Sequence, residues 1–503
     1  MPIARSRPKP SAGRPPRKKR RSARPAPAPP SLANQLAGLR QLALDGGIAD
    51  PQPLLTALSD PAPMMRQTAA IALGMLKEPR GRGALEASLV DPDPPVRASA
   101  AEALGAIGDP ESHIRIEPLL SDPVPVVREH AAWALGLLGV AASGPPLVAA
   151  VHDPDVAVRR SIAGALGRIG TALAAMGLRT LLTDPNDRVR REALLGLGTF
   201  EEPGLVEAIR PFLQDPSRRV RVAAALIAGR FRDRGAVGMI IERLNQPAVW
   251  EKPAMLIALG RIGTPEAVPV LVTAAGDPSH SVRVCALHAL GEMHAEGGRG
   301  IARAHLADSA WPVRGAAALC LGAIGGPEEL NVLLERLEDT HPWPRRGAIY
   351  ALGQLGLAAA APRIREELRH PDPEVRLAAI WALGRLQDDG AREMLVTMLR
   401  QIDPTLAGAP GISEESSPSG PETDAAERCF DTVVQALGRL SPGEEDPFVA
   451  RALLEARARI SEEELDRPAR LPTPEVTPGR PPLSLRILFE SALPASAHED
   501  ELG

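Results

Sequence analysis

Asp91-Pro92-Asp93-Pro94-Pro95-Val96-Arg97-Ala98-Ser99-Ala100-Ala101-Glu102-Ala103-Leu104-Gly105-Ala106-Ile107-Gly108 is the stretch that decides the fold. An Asp-Pro turn opens it, apolar residues recur at helical spacing, and a glycine ends it. At about 100° per residue, Val96, Ala100, Ala103 and Leu104 share one face with Arg97 on its flank. Ala98 and Glu102 fall on the opposite side and are expected to be exposed. A shorter apolar helix then leads to the next turn, Asp122-Pro123.

The stretch recurs along the chain. Its Ala-Leu-Gly, or a close variant, places glycines at Gly74, Gly105, Gly136, Gly167, Gly198, Gly229, Gly260, Gly291, Gly322, Gly353 and Gly384, every 31 residues. Eight residues before each stands Arg66, Arg97, Arg128, Arg159, Arg190, Arg221, Lys252, Arg283, Arg314, Arg345 or Arg376. A fixed period of this length marks helix pairs that bury their apolar faces only by stacking on their neighbours. Small Ala and Gly contacts let those helices approach closely. The aspartate of each Asp-Pro is expected to cap the second helix, and Gly108, Gly170, Gly263 and Gly325 to stop it.

The period and the pattern Asp-Pro…Val-Arg…Ala-Ala…Ala-Leu-Gly resemble HEAT repeats, in the variety named after phycobilin lyases, over roughly residues 50–400. The resemblance implies an all-α fold, a right-handed α-α superhelix of the HEAT/armadillo type with about twelve two-helix repeats, second helices on the concave side. It also implies a ladder of Asp and Arg linking adjacent repeats. On this chain the ladder falls on Asp91, Asp122, Asp153, Asp184, Asp215 and Asp277 with Arg97, Arg128, Arg159, Arg190, Arg221 and Arg283, and extends to Asp60, Asp308 and Asp339.

The seventh unit departs from the pattern. Gln246 replaces Asp, Lys252 replaces Arg, and Pro253 falls inside the expected helix, so the second helix is expected to start late, at Pro253. The organisation expected is a basic Pro/Arg-rich tail at 1–30, a helical cap at 31–50, the array at 51–400 and an acidic Ser/Pro-rich insertion at 401–424. The last repeat helix and a closing cap follow at 425–466, and a Pro-rich tail at 467–503. That tail holds an apolar patch at 483–489.

The net charge of -4 conceals an asymmetry, because residues 1–30 carry ten Arg/Lys and no acid, leaving about -14 on the rest. An acidic body is ill suited to wrapping a nucleic-acid backbone. Cys285, Cys320 and Cys429 sit in apolar helical stretches without metal or disulfide spacing, and read as core residues. His280, His288, His294 and His305 lack metal-ligand spacing too. The one His-Glu pair, His498-Glu499, lies in the tail, which removes the iron site that HEAT-type hydroxylases build from such pairs on successive repeats. Neither catalytic residues nor a cofactor or metal site is assigned, no apolar run reaches the ~18–20 residues of a membrane span, and the chain is expected to be cytoplasmic, or nuclear in a eukaryote.

What remains is a surface. Trp133, Trp250, Trp311, Trp343, Trp381 and Tyr350 all fall in second helices or the turns leading into them. Trp133, Tyr350 and Trp381 share the position three before the glycine, expected to face the groove as binding anchors. Arg160, Arg188, Arg191, Arg218 and Arg219 form a basic stripe suited to an acidic partner. The functional expectation is a non-enzymatic protein-protein interaction scaffold. Two alternatives are a lyase or chaperone acting on a protein-bound tetrapyrrole, and a nucleic-acid-associated factor using residues 1–30.

Overall fold

Every Ala-Leu-Gly run or variant from Gly74 to Gly384 lies in one long helix, or at its end as at Gly198, in the computed structural model, which describes residues 50–402 except Pro203 and 247–249, together with Val433 and Ala436. The basic tail, the N-terminal cap up to residue 49, the insertion from residue 403, Cys429, the closing cap and the C-terminal tail lie outside the described residues. The second helices are α1 Pro63–Met75, α2 Pro94–Ile107, α3 Pro125–Leu138, α4 Val156–Ile169, α5 Asp187–Leu197 and α6 Arg218–Arg230. They continue as α7 Lys252–Ile262, α8 His280–Glu292, α9 Trp311–Ile324, α10 Pro342–Gln354 and α11 Pro373–Leu386. Shorter first helices such as Arg82–Ser88 and Val268–Ala274 alternate with them, and no strand occurs among the described residues. The fold is an all-α solenoid.

Contacts divide the chain between Leu138 and Gly139 into two units. In the first, α1 packs on α2 and α2 on α3; in the second, each of α4 to α11 packs on the next. The glycine register makes this stacking close. A Cβ added to Gly105 would lie 2.8 Å from the Cα of Ala134, so helix meets helix backbone to backbone. Gly384 stands in the same relation to Ala436, which is buried, as is Val433. Ala436 follows its glycine by 52 residues, where Ala134 follows Gly105 by 29, so 23 residues are interposed at that point.

Three residues past the register glycine the chain turns through left-handed backbone. Gly108, Gly139, Gly170, Gly263 and Gly356 take positive φ there. So do Lys77, Arg232, His294 and Gln387, whose side chains make that conformation costly. Lys77→Gly, at φ 48°, is expected to raise stability by about 1 kcal/mol; an unchanged urea unfolding midpoint would count against it. Gly325 departs from the expected helix stop, with φ -83° and ψ -172°. Pro327 follows two residues later and holds Gly326 extended, drawing the turn out of the left-handed region.

Two further expectations are corrected. Asp91 does not cap α2; its Oδ1 accepts the N–H of Asp93 at 2.9 Å, closing the turn before the helix begins. Ala98 is buried rather than exposed, because α2 is flanked by α1 and α3 and the close seam covers more of its circumference than one wheel face. In the seventh unit α7 begins at Lys252, eight residues before its glycine where α2 begins eleven before, with Pro253 in its first turn.

Candidate functional site

The titratable side chains of the Asp-Pro turns are committed to holding repeats together. Arg97 Nε and Nη2 donate to both carboxylate oxygens of Asp122, 25 residues on, at 2.8 and 3.0 Å, and its Nη1 donates to the Asp91 carbonyl at 2.7 Å. The same fork joins Arg66 to Asp91, Arg159 to Asp184 and Arg190 to Asp215. It also joins Arg283 to Asp308 and Arg314 to Asp339. A planar guanidinium suits this bidentate contact. The Arg66 hydrogen bond outweighs burial and holds the Asp91 carboxyl below its ordinary pKa. Arg128 and Asp153 belong to different units: Arg128 Nη1 donates to the Asp122 carbonyl at 2.9 Å, and Asp153 Oδ1 accepts the Asp155 N–H at 2.9 Å.

Where Gln246 displaces the aspartate, Arg221 Nε turns to the buried Glu251 at 2.6 Å, and Arg243 Nε donates to the same oxygen at 3.0 Å. Burial pushes the Glu251 carboxyl up, but the two arginines bring it below its usual range. Lys252 reaches Asp277 through one contact of 2.7 Å. His370 occupies the aspartate position after Arg345, whose Nη1 goes instead to Glu367 at 3.4 Å.

A second ladder on the first helices went unread in the sequence. Arg82 pairs with Asp109, Arg179 with Glu202, Arg210 with Asp233 and Arg365 with Asp388. Arg299 and Arg303 converge on the fully buried Glu329. The signal available was an acid four residues past the register glycine, at Asp109, Glu202, Asp233 and Asp388.

The remaining thiols and imidazoles do not gather. Cys285 and Cys320 are buried, and burial pushes each thiol up to about 12. His294 Nδ1 lies 3.0 Å from the Ala323 carbonyl, and His305 lies 3.3 Å from Asp308. Among the described residues no three His, Cys, Asp or Glu side chains converge as a metal site, and no helix is long and apolar enough to cross a membrane.

The side chains that the second helices leave open to solvent gather at positions ten, seven and three before the glycine and one after it, although Ala98, Ile257 and Trp381 at such positions are buried. In the first unit the stripe is largely apolar: Met64, Ile71, Met75, Val126 and Leu137 are exposed, and Trp133 is half-buried. His130 stands 3.1 Å from Glu102 beside it. In the second unit Arg160, Arg188, Arg191, Arg218 and Arg219 are exposed on α4 to α6, with Arg191 3.8 Å from Glu192 and Arg219 3.6 Å from Asp187.

The aromatic positions diverge. Trp250 is 78% exposed before α7. Trp311 stacks on His341 with centroids 3.9 Å apart, and Arg346 lies 4.4 Å over the half-buried Trp343 ring. Tyr350 is half-buried and meets Trp381 edge-on at 5.1 Å. Trp381 departs from the expected groove anchor: it is 9% exposed, set against Gly353 and Tyr350, with its Nε1–H lacking a hydrogen-bond partner. The missing side chain at Gly353 leaves the space that this indole fills.

These features define an α-solenoid whose charged ladders link successive repeats and whose second helices carry many of the exposed side chains. HEAT repeats match residues 51–136, 115–195, 175–252, 239–299, 286–353 and 330–409, and the chain belongs to the HEAT-repeat family. No curated protein sequence matches it. Among solved structures it is similar to importin-β, with 15% identity and a TM-score of 0.52 over 87% of this chain and 72% of that one. It is likewise similar to yeast importin-β (Kap95p), with 15% identity and a TM-score of 0.52 over 85% of this chain and 67% of that one. The chain thus spans about two thirds of the yeast protein. The complex of CpcE and CpcF of phycocyanin lyase from Nostoc sp. PCC7120 matches at 25% identity and a TM-score of 0.32, over 50% of this chain and 95% of that one.

Proposed function

We propose that the protein is a non-enzymatic scaffold or adaptor, and that the open stripe of its second helices binds another protein. The observation that carries this reading is a division of labour. Ladder groups and register glycines do the stacking, while Trp133, Trp250, Arg188 and Arg218 keep solvent access and belong to neither set. Aromatic and arginine side chains of this kind dominate protein interfaces because they bury large area at small entropic cost.

The test is affinity capture with the full chain, with Trp133→Ala and Trp250→Ala beside it. Each is expected to weaken capture of the retained protein by about 2 kcal/mol, roughly thirtyfold, with the thermal midpoint nearly unchanged. Undiminished capture by both variants refutes the stripe as the binding surface. Trp381 and Tyr350 are left out of the pair because they pack on one another between adjacent repeats.

A further inference from the structure

Helices α4, α5 and α6 present a surface with more arginines than acids. Arg168, Arg188, Arg191, Arg219 and Arg230 are exposed at stripe positions, and Arg218, the first residue of α6, is exposed beside them. The acids interspersed there, Asp187 and Glu192, already stand beside Arg219 and Arg191. Among the described residues, no carboxylate lies within the 4.0 Å of an ion pair from Arg168, Arg188, Arg218 or Arg230. Between the arginines lie the half-buried apolar side chains Leu195, Val222 and Leu226.

A surface of this kind selects its partner by charge and by shape. Exposed guanidiniums without a carboxylate partner attract anions and steer their approach. No aromatic residue occurs in α4, α5 or α6, and Phe231 just past α6 is half-buried with Arg230 5.6 Å from its ring centroid, so there is no row of aromatic rings on which successive single-stranded bases could stack. Stacked helices lie about 8–10 Å apart, and an extended chain advances about 3.3 Å per residue. Successive rows of arginine therefore match every third residue of a strand laid across the helices. The apolar floor calls for apolar side chains between the acids.

The geometry points to the α4–α6 stripe as the docking site for an extended acidic segment of another protein, with carboxylates at about every third residue and apolar residues between them. This inference rests on the scaffold reading and names the partner's chemistry.

The experiment uses the full chain and a fluorescein-labelled peptide of about 15 residues built from Glu-Leu-Ser triplets, read by anisotropy at low salt of about 50 mM. The wild type is expected to bind it. The Gln-Leu-Ser peptide and the triple variant Arg168→Glu, Arg188→Glu, Arg230→Glu are each expected to lower affinity by about tenfold or more. Since none of the three arginines is within ion-pair distance of a described carboxylate, the variant breaks no described salt bridge, and its thermal midpoint reports whether it folds. Should it not fold, the corresponding triple Gln variant serves, with the same direction of effect. Equal binding by wild type and variant, equal binding of the Gln peptide, or tighter binding of an oligothymidine of the same length overturns the proposal. Affinity capture separates the two readings: a protein retained by wild type and triple variant alike leaves the scaffold standing without an acidic partner, and nothing retained by the wild type removes the scaffold itself.

Discussion

Replacing Arg190 with Ala is expected to cost about 3–5 kcal/mol of stability, because it strands a buried carboxylate. The Asp215 side chain is 6% exposed, and Arg190 gives it two hydrogen bonds of 2.9 and 2.8 Å. The Nη1 of the same guanidinium donates to the carbonyls of Asp184 and Pro185. After the substitution Asp215 keeps the Ser217 N–H at 2.7 Å, which cannot by itself replace the lost solvation. The seventh unit supplies the internal comparison. Lys252 is 32% exposed and makes one contact with Asp277, so Lys252→Ala is expected to cost about 1 kcal/mol. Urea unfolding followed by circular dichroism checks both. Equal midpoint shifts for the two variants would show that fork geometry and burial do not set the strength of a rung.

Gly105→Val is expected to cost about 3 kcal/mol or more, at the upper end of what overpacking does. The new Cβ would sit 2.8 Å from Ala134 Cα and 3.0 Å from its Cβ. Backbone cannot rotate away as a long side chain can, so α2 and α3 must separate and lose contact along their shared length. A β-branched residue in a helix adds a smaller penalty. Gly83 has nothing within 4 Å of an added Cβ, and Gly83→Val is the control for the generic effect of losing a glycine. Matching midpoints for the two variants would remove the close seam as the reason for the 31-residue glycine register.

The periodic core was readable because each repeat meets the same neighbour in the same way. Stacking imposes glycine where backbone approaches backbone, as at Gly105, and arginine where it must span a turn, as at Arg97. Features that depend on how far one helix is rotated against the next were not readable. A wheel drawn for one helix exposes Ala98 and the position of Trp381, and the structure buries both. The first-helix ladder escaped notice because its arginines are irregularly placed: Arg82 reaches an acid 27 residues on, Arg210 one 23 residues on. Left-handed backbone at Lys77, Arg232, His294 and Gln387 leaves no mark in residue type, and becomes visible only when these positions are aligned with Gly108 and its equivalents. Of the surface arginines on α4 to α6, Arg160, Arg188, Arg191, Arg218 and Arg219 stood out in the sequence as extra charge against a repeating background, while Arg168 and Arg230, one residue past their glycines, did not.

The fork between Arg97 and Asp122 spans 25 residues, and that between Arg314 and Asp339 spans the same. Every such tether is therefore short in sequence, and the chain never needs to bring distant segments together to complete one. Closing a loop of this length costs little entropy, so the array can begin to order at any pair of adjacent repeats and grow outward from there. Damage is local for the same reason: the loss of one tether is felt by the two repeats it joins, and substitutions several repeats apart add without interfering. A molecule built this way can accumulate change along its open stripe one repeat at a time while the rest of the stack holds its form.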